Sequence, residues 1–328
     1  MSRQRILVTG GAGFIGHHVV SGLLRGTDAE LVLLDRLDLS GNLHRLHDVL
    51  EPGDKGRLAW VCHDLKAPVR AQVAQRIGAV DAVVHLAAGT HVERSITDPL
   101  EFVHDNVVGT AHLLELCRQL QPERVLYFST DEVFGPAAPG VAFKEWDRYA
   151  SKNPYAATKA GAEELCIAYQ NTYGLPVSVL HCMNVYGERQ HPEKFIPGTV
   201  RKVLAGERVT IHADPTRTVA GSRFWIHASD VAAAVRFLLA YAQPGDKYNV
   251  VGEREASNLE VASWVAEALG RPLDYELVDF HSSRPGHDLR YALDGSKLRG
   301  LGWGCALPAP EAIGKTARWF ADHREWLA

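Results

Sequence analysis

The sequence has little of what several large protein classes require. Its five cysteines (Cys62, Cys117, Cys166, Cys182 and Cys305) are scattered, odd in number and without a C-x-x-C spacing. That excludes a disulfide framework and a thiolate zinc site, and predicts reduced structural thiols. The 16 histidines form no H-E-x-x-H or comparable pattern, so no metal site is expected. There is no basic excess: 35 Lys and Arg stand against 39 Asp and Glu, a net charge of −4. Nucleic acid is therefore not an expected partner. No apolar run suits a membrane span. The most apolar helical stretch, 231–241, carries Arg236 and falls far short of the roughly 20 residues needed. The N-terminus enters a strand within a few residues, without signal-peptide architecture. A cytoplasmic protein with no membrane association is the expectation. Neither internal repeats nor low-complexity tracts occur. What remains, 328 residues at 46% hydrophobic and 23% charged, is a globular chain with ample core.

The first recognisable element is a dinucleotide fingerprint. Arg5-Ile-Leu-Val-Thr9 is an aliphatic run leading straight into Gly10-Gly-Ala-Gly13-Phe14-Ile15-Gly16. An amphipathic helix should follow, with Phe14, Ile15, Val19, Val20, Leu23 and Leu24 facing inward. Gly10 would permit the turn, Gly13 close approach of a pyrophosphate, and Gly16 close helix packing. The pyrophosphate would sit on the helix N-terminus, where amides and macrodipole favour negative charge. A second strand, Glu30-Leu-Val-Leu-Leu34, ends in Asp35, about 20 residues after the last glycine. A carboxylate there accepts from a ribose 2′-OH and repels a 2′-phosphate, so NAD is expected over NADP. Arg36 beside it is the one feature that could accommodate a phosphate. Val61-Cys-His-Asp64-Leu65 reads as a turn against adenine. Val80-Asp-Ala-Val-Val-His85-Leu-Ala87-Ala88-Gly89 reads as a strand whose small terminal residues pass near the cofactor, with His85 packed in the core.

Strand and helix patterns alternate through about residue 180, which predicts an α/β fold with a Rossmann-type doubly wound parallel sheet. Loops then lengthen. A smaller, discontinuous C-terminal substrate-binding lobe is expected over 183–328, with an NAD-binding domain over 1–182 to which 228–251 returns. A helix is predicted from Asn258 to Leu269.

Chemistry concentrates at Ser129-Thr130-Asp131-Glu132 and Tyr155-Ala-Ala-Thr-Lys159. The run Arg124–Ser129 reads as a buried parallel strand, so Thr130, Asp131 and Glu132 should emerge at its carboxyl end, where ligands sit in open α/β sheets. Adjacent acids suit a site that needs a proton donor and a proton acceptor. Tyr155 and Lys159 lie one helical turn apart, on one face.

Thr9-Gly10-x-x-Gly13-x-x-Gly16, Tyr155-x-x-x-Lys159, Asn106 in Asp105-Asn-Val-Val-Gly-Thr, and Asn184-Val-Tyr-Gly187 together resemble the markers of the extended short-chain dehydrogenase/reductase superfamily, the nucleotide-sugar epimerases and dehydratases. Three segments resemble the dTDP-glucose 4,6-dehydratases within it: Ser129–Gly135, His91-Val-Glu93-Arg-Ser95-Ile and Arg284-Pro-Gly-His287-Asp-x-Arg290-Tyr291. The resemblance implies NAD held by Gly10, Gly13, Phe14, Ile15, Gly16, Asp35, Arg36, Asp64, Leu65, Ala87, Ala88, Asn106, Tyr155 and Lys159. It implies a nucleoside diphosphate hexose contacted by His91, Ser95, Thr130, Asn184, Glu193, Lys194, Arg223, Asn258, Arg284 and His287, with the arginines matching the diphosphate. It also implies a homodimer through four helices, two from each chain, spanning roughly 99–120 and 154–173.

In the chemistry so implied, Tyr155 takes the C4 hydroxyl proton, its pKa lowered by the Lys159 ammonium and the nicotinamide charge. Thr130 bonds the developing C4 carbonyl, Glu132 removes the C5 proton, and Asp131 protonates the departing C6 hydroxyl. The sequence departs from the pattern in places. Phe134 stands where Tyr is more frequent, and Glu93 where Asp is usual. The stretch after Asn184 and Phe224 after Arg223 also differ, which leaves the base open among thymidine, uridine and others. An epimerase or a uronic acid decarboxylase on this scaffold would not need both acids. A non-catalytic NAD-binding regulator would be expected to lose Tyr155 or Lys159, and both are present.

Overall fold

The β-branched and aliphatic runs of the first half form the strands expected of them. In a computed structural model that describes residues 3–38, 40–279 and 289–328, they assemble into one seven-stranded sheet. Its first six strands are β1 (Arg5–Thr9), β2 (Glu30–Asp35), β3 (Leu58–Cys62), β4 (Ala82–His85), β5 (Arg124–Thr130) and β6 (Val177–Cys182). The seventh is Lys247–Val250, and the order is Lys247–Val250, β6, β5, β4, β1, β2, β3. Pairings β1–β2, β1–β4, β2–β3, β4–β5 and β5–β6 are all parallel. This is the doubly wound order, and it reverses between β1 and β4, where dinucleotides bind. Such strands are covered on both faces, which is why β4 and β6 are buried throughout.

Two units divide the chain. The first comprises Met1–Val133, Ser151–Cys182 and Val231–Tyr248, and the second Phe134–Ala150, Met183–Asp230 and Asn249–Ala328. The boundary differs from the sequence expectation of 1–182 at one place: 134–150 belongs to the second unit. The reason is backbone pairing over long sequence distance. Phe143 donates to Ala292 O at 2.9 Å, Ala137 to Arg290 O at 3.0 Å, and Asn249 Nδ2 to Phe143 O at 3.0 Å. The second unit's core gathers Tyr186, Val200, Trp225, Val261, Ile313 and Phe320. The predicted helix there runs Asn258–Ala268 and is capped by Ser257 in a capping box with Glu260.

The helix after β1, α1 (Phe14–Gly26), buries Val19, Val20, Leu23 and Leu24. Phe14 and Ile15, expected on the same inward face, are only half-buried. They occupy the first turn at the sheet's carboxyl edge, where a ligand rather than core would cover them. Among the described residues, no helix is long and apolar enough to cross a membrane, and no His, Cys, Asp and Glu cluster could hold a metal.

Candidate active site

The glycine loop is built by close backbone approach. Gly10 has φ +70°, and a Cβ there would lie 2.7 Å from Ala87 N. A Cβ on Gly16 would lie 2.0 Å from Gly10 O, a backbone atom that cannot yield. Gly13 is the N-cap of α1, and no side chain caps the helix, so the first-turn amides are presented for an anion. Asp35 at the end of β2 accepts from Ala12 N at 3.0 Å and Leu37 N at 2.9 Å. Its carboxylate thus sits against the loop, where a ribose hydroxyl can reach it. This cradle and its acid fit NAD.

Several residues expected at the cofactor are engaged by groups of the chain itself. The Asn106 amide donates to Gly89 O at 3.1 Å and Thr158 Oγ1 at 2.9 Å, and accepts from Gly89 N at 2.8 Å. It braces the backbone after β4 rather than projecting a free amide. Leu65 packs in the sheet core, and its carbonyl meets the His112 ring at 2.7 Å. Asp64 instead accepts from Lys66 N at 2.9 Å. Ala87 N is held by Thr9 Oγ1 at 3.2 Å, with Ala88 beside it. His85 lies between Thr9 Oγ1 at 2.7 Å and Thr110 Oγ1 at 3.1 Å. Burial and then the Lys159 charge push it down to about 3, so it remains neutral and structural.

The reactive groups converge where β5 ends. Thr130 Oγ1 donates to Asp131 Oδ1 at 3.0 Å and accepts from Glu132 N at 3.3 Å. Both Thr130 and Asp131 are buried. Glu132 Oε2 accepts from Asn153 Nδ2 at 2.8 Å, while Asn153 Oδ1 caps the Tyr155 helix (Pro154–Tyr173) through Ala156 N at 2.8 Å. Sequence reasoning missed Asn153. Its signal was Asn-Pro at a helix start, which marks a cap but not a second bond to an acid. The Thr130 hydroxyl lies beside Tyr155 and favours its phenolate. The Tyr155 backbone N–H donates to Ser95 Oγ at 3.1 Å. Ser95, expected on the substrate, is fully buried and donates in turn to Val92 O at 2.6 Å. It is a support for Tyr155. His91 stands at the N-cap position of the short helix Val92–Thr97, with no side-chain cap bond.

Two electrostatic findings bear on that chemistry. Tyr155 is pushed upward, by burial first and then by the Glu132 charge, with the Thr130 hydroxyl opposing. Lys159 does not aim at it: Nζ donates to Phe128 O at 2.6 Å and sits 4.4 Å from the centre of the Tyr127 ring. Burial lowers Lys159 to about 8, offset partly by Cys166 and Glu163. Glu163, one turn further on, is buried with His181 Nε2 at 3.1 Å and Lys247 Nζ at 2.8 Å. Burial alone would raise its carboxyl, but the attraction of His181 and Lys247 holds it at about 2.

The remaining expected substrate residues lie in the second unit. Asn184 is exposed and its carbonyl accepts from Ile226 N at 3.0 Å. Glu193 lies 3.6 Å from His191, and Lys194 stands at the N-cap position of the helix Phe195–Ala205 without a side-chain cap bond. Arg223 Nη1 donates to Ser222 O and Leu289 O, each at 2.6 Å, with its guanidinium 4.8 Å from the Tyr291 ring centre. It is thus already engaged by two carbonyls. Asn258 N donates to Gly221 O at 2.8 Å. Arg284 and His287 lie outside the described residues.

Known proteins are similar to this chain over nearly its whole length. A dTDP-glucose 4,6-dehydratase of Actinoplanes sp. is 37% identical, covering 98% of this chain and 99% of its own. One from Neisseria gonorrhoeae is 37% identical over 98% and 97%. The crystal structure of the Streptomyces venezuelae dTDP-glucose 4,6-dehydratase with NAD and TYD bound superposes with a TM-score of 0.88 at 37% identity, covering 98% of each chain. A Thermus thermophilus UDP-glucose 4-epimerase in complex with NAD gives 0.84 at 31% identity, over 97% of this chain and 99% of that one. Residues 6–251, from β1 through the seventh strand of the sheet, match the NAD dependent epimerase/dehydratase family, and the chain belongs to it.

Proposed function

We propose that this chain catalyses NAD-dependent 4,6-dehydration of a nucleoside diphosphate hexose, dTDP- or UDP-glucose-like, to the 4-keto-6-deoxy sugar. One observation carries the reading: two adjacent carboxyl groups, Asp131 and Glu132, at the β5 end beside Thr130 and Tyr155. Inverting C4 requires one hydroxyl proton to leave and return. Eliminating water across C5–C6 requires a base for C5 and an acid for the C6 oxygen, and this pair can supply both.

Tyr155 accepts the C4 hydroxyl proton as C4 is oxidised. Its burial works against the phenolate, so the step depends on positive charge in the assembled site. NAD, when bound, supplies the hydride acceptor, the later hydride donor and a positive ring charge. Thr130 donates to the C4 oxygen, where negative charge accumulates once C5 is deprotonated. Glu132, one oxygen fixed by Asn153, takes the C5 proton with the other. Asp131 gives its proton to the C6 hydroxyl, which leaves as water. Hydride then returns to C6 while Glu132, its proton exchanged with solvent, protonates C5; the C4 hydroxyl proton left on Tyr155 is released to solvent and Asp131 takes one up, so the atoms balance and the cofactor ends unchanged.

The fate of a C4 label tests this directly. Substrate deuterated at C4 is expected to give product carrying that deuterium in its methyl group, with solvent hydrogen at C5. Mass spectrometry or NMR reads the position. Label returned to C4 would make the protein an epimerase, and label on released cofactor a dehydrogenase.

The same reading includes a homodimer. Support comes from the apolar side chains exposed along 99–120 and at the end of the Tyr155 helix, with Leu100 69% and Tyr173 50% exposed. Sedimentation velocity should give a particle of two chains, and a single-chain particle at micromolar concentration would reject it.

A further inference from the structure

Cofactor choice in this fold rests on what stands beside the acid at the end of β2, and here that neighbour is a cation. An arginine next to the fingerprint acid is the group a 2′-phosphate would recruit, because guanidinium matches phosphate through two parallel hydrogen bonds. Arg36 is nevertheless already occupied. Its Nη1 and Nη2 donate to the two oxygens of Asp105 at 2.5 and 3.0 Å, and its Nε donates to Asp38 at 2.7 Å. Asp64 is 3.5 Å away. The second cation in the same depression, Lys66, is held by Glu101 at 2.6 Å. Four carboxylates, Asp38, Asp64, Glu101 and Asp105, therefore surround two cations.

Asp105 is the unusual member. Its side chain is only 8% exposed, and it comes from the helical turn Val103–Val108, not from the β2 segment. It immediately precedes Asn106, which braces Gly89 after β4. Strands β2 and β4 flank β1, so the Arg36–Asp105 pair links the two segments on either side of the glycine loop. The pairing geometry is the fork-to-fork arrangement that a phosphate would need for itself. To recruit Arg36, a 2′-phosphate would have to break both bonds and leave a mostly buried carboxylate unpaired.

We infer that Asp105 is a specificity-determining residue for the cofactor: by holding Arg36 in a bidentate pair it withdraws the cation that would bind a 2′-phosphate, and so enforces NAD over NADP. Asp35 acts on the 2′-OH itself, and Asp105 acts through Arg36. The inference rests on the reading that a nicotinamide dinucleotide occupies the glycine loop.

Equilibrating the purified protein with equimolar NAD and NADP, then denaturing it and quantifying the released nucleotides, tests the assignment without any turnover. The wild type should release NAD almost exclusively, which checks the underlying reading in the same assay. Asp105→Ala should raise the NADP:NAD ratio about tenfold or more, the equivalent of about 1.4 kcal/mol. Arg36→Ala in that background should return the ratio to the wild-type value. Asp105→Asn, which keeps the shape and loses the charge, should shift the ratio the same way and serves if the alanine variant fails to fold. An unchanged ratio in a folded Asp105 variant would overturn the assignment. So would a gain that survives loss of Arg36. Because the wild type reports NAD occupancy independently, either result counts against Asp105 and not against the dinucleotide site.

Discussion

Glu132→Gln is expected to lower formation of the 4-keto-6-deoxy sugar by about 10²–10⁴-fold, the usual worth of a positioned proton-transfer group. The amide preserves volume and can still accept from Asn153, whose bond to Glu132 Oε2 is 2.8 Å. The N-cap that Asn153 provides is untouched, so thermal stability should not change. What disappears is basicity at C5. Oxidation at C4 does not require that base, so added substrate should produce the absorbance of reduced cofactor without the deoxy sugar. Solvent deuterium should also fail to enter C5. Turnover at the wild-type rate would remove Glu132 from the mechanism and favour an epimerase.

The second large effect is on stability and lies away from the reacting atoms. Glu163→Gln should destabilise the protein by about 3–5 kcal/mol, because it leaves the buried Lys247 ammonium without its counter-charge. Urea unfolding with an unchanged slope and a lower midpoint would report it. Replacing Lys247 by Met as well should recover much of the loss, since it removes the buried ammonium left without a counter-charge. The pH dependence has a definite sign. The Glu163 carboxyl is held at about 2 against an ordinary 4.5. Its contribution is complete above 4.5, declines as pH falls below that, and is lost as pH passes through about 2. Glu163→Gln should lack that share of the acid sensitivity. Wild-type stability in this variant, or an identical acid profile, would show that the triad carries no net stabilisation.

Much of the fold was legible because its signals are local. Aliphatic runs such as Arg5–Thr9 and Glu30–Asp35 can be nothing but buried strands once glycines follow one and an acid ends the other. The spacing of Tyr155 and Lys159 puts both on one helix face whatever the helix packs against. Less legible was which polar residues work on ligands and which on the protein. Ser95, Asn106 and Arg223 carry groups that suit a ligand, yet each engages backbone groups of this chain. The segment 134–150 carries no local mark of belonging with residues 290–294. That choice is made by backbone pairing across nearly half the chain.

By itself the sequence determined the dinucleotide loop, the acid after β2, the acid pair after β5 and the helix bearing Tyr155 and Lys159. All depend on short-range spacing and backbone propensity. Tertiary structure alone decided which charges meet. Arg36 and Asp105 are 69 residues apart, Glu132 and Asn153 21, and Tyr155 and Ser95 60. The protonation tendencies followed from the same source. The family resemblance implies a Tyr155 phenol lowered by Lys159 and the nicotinamide charge; within the chain itself, burial and the Glu132 charge raise it and Lys159 turns to the Phe128 carbonyl. The physical reason is that a residue's type sets which charge it can carry. Its pKa and its partner depend on how much water the folded chain removes and which opposite charge it brings within about 4 Å.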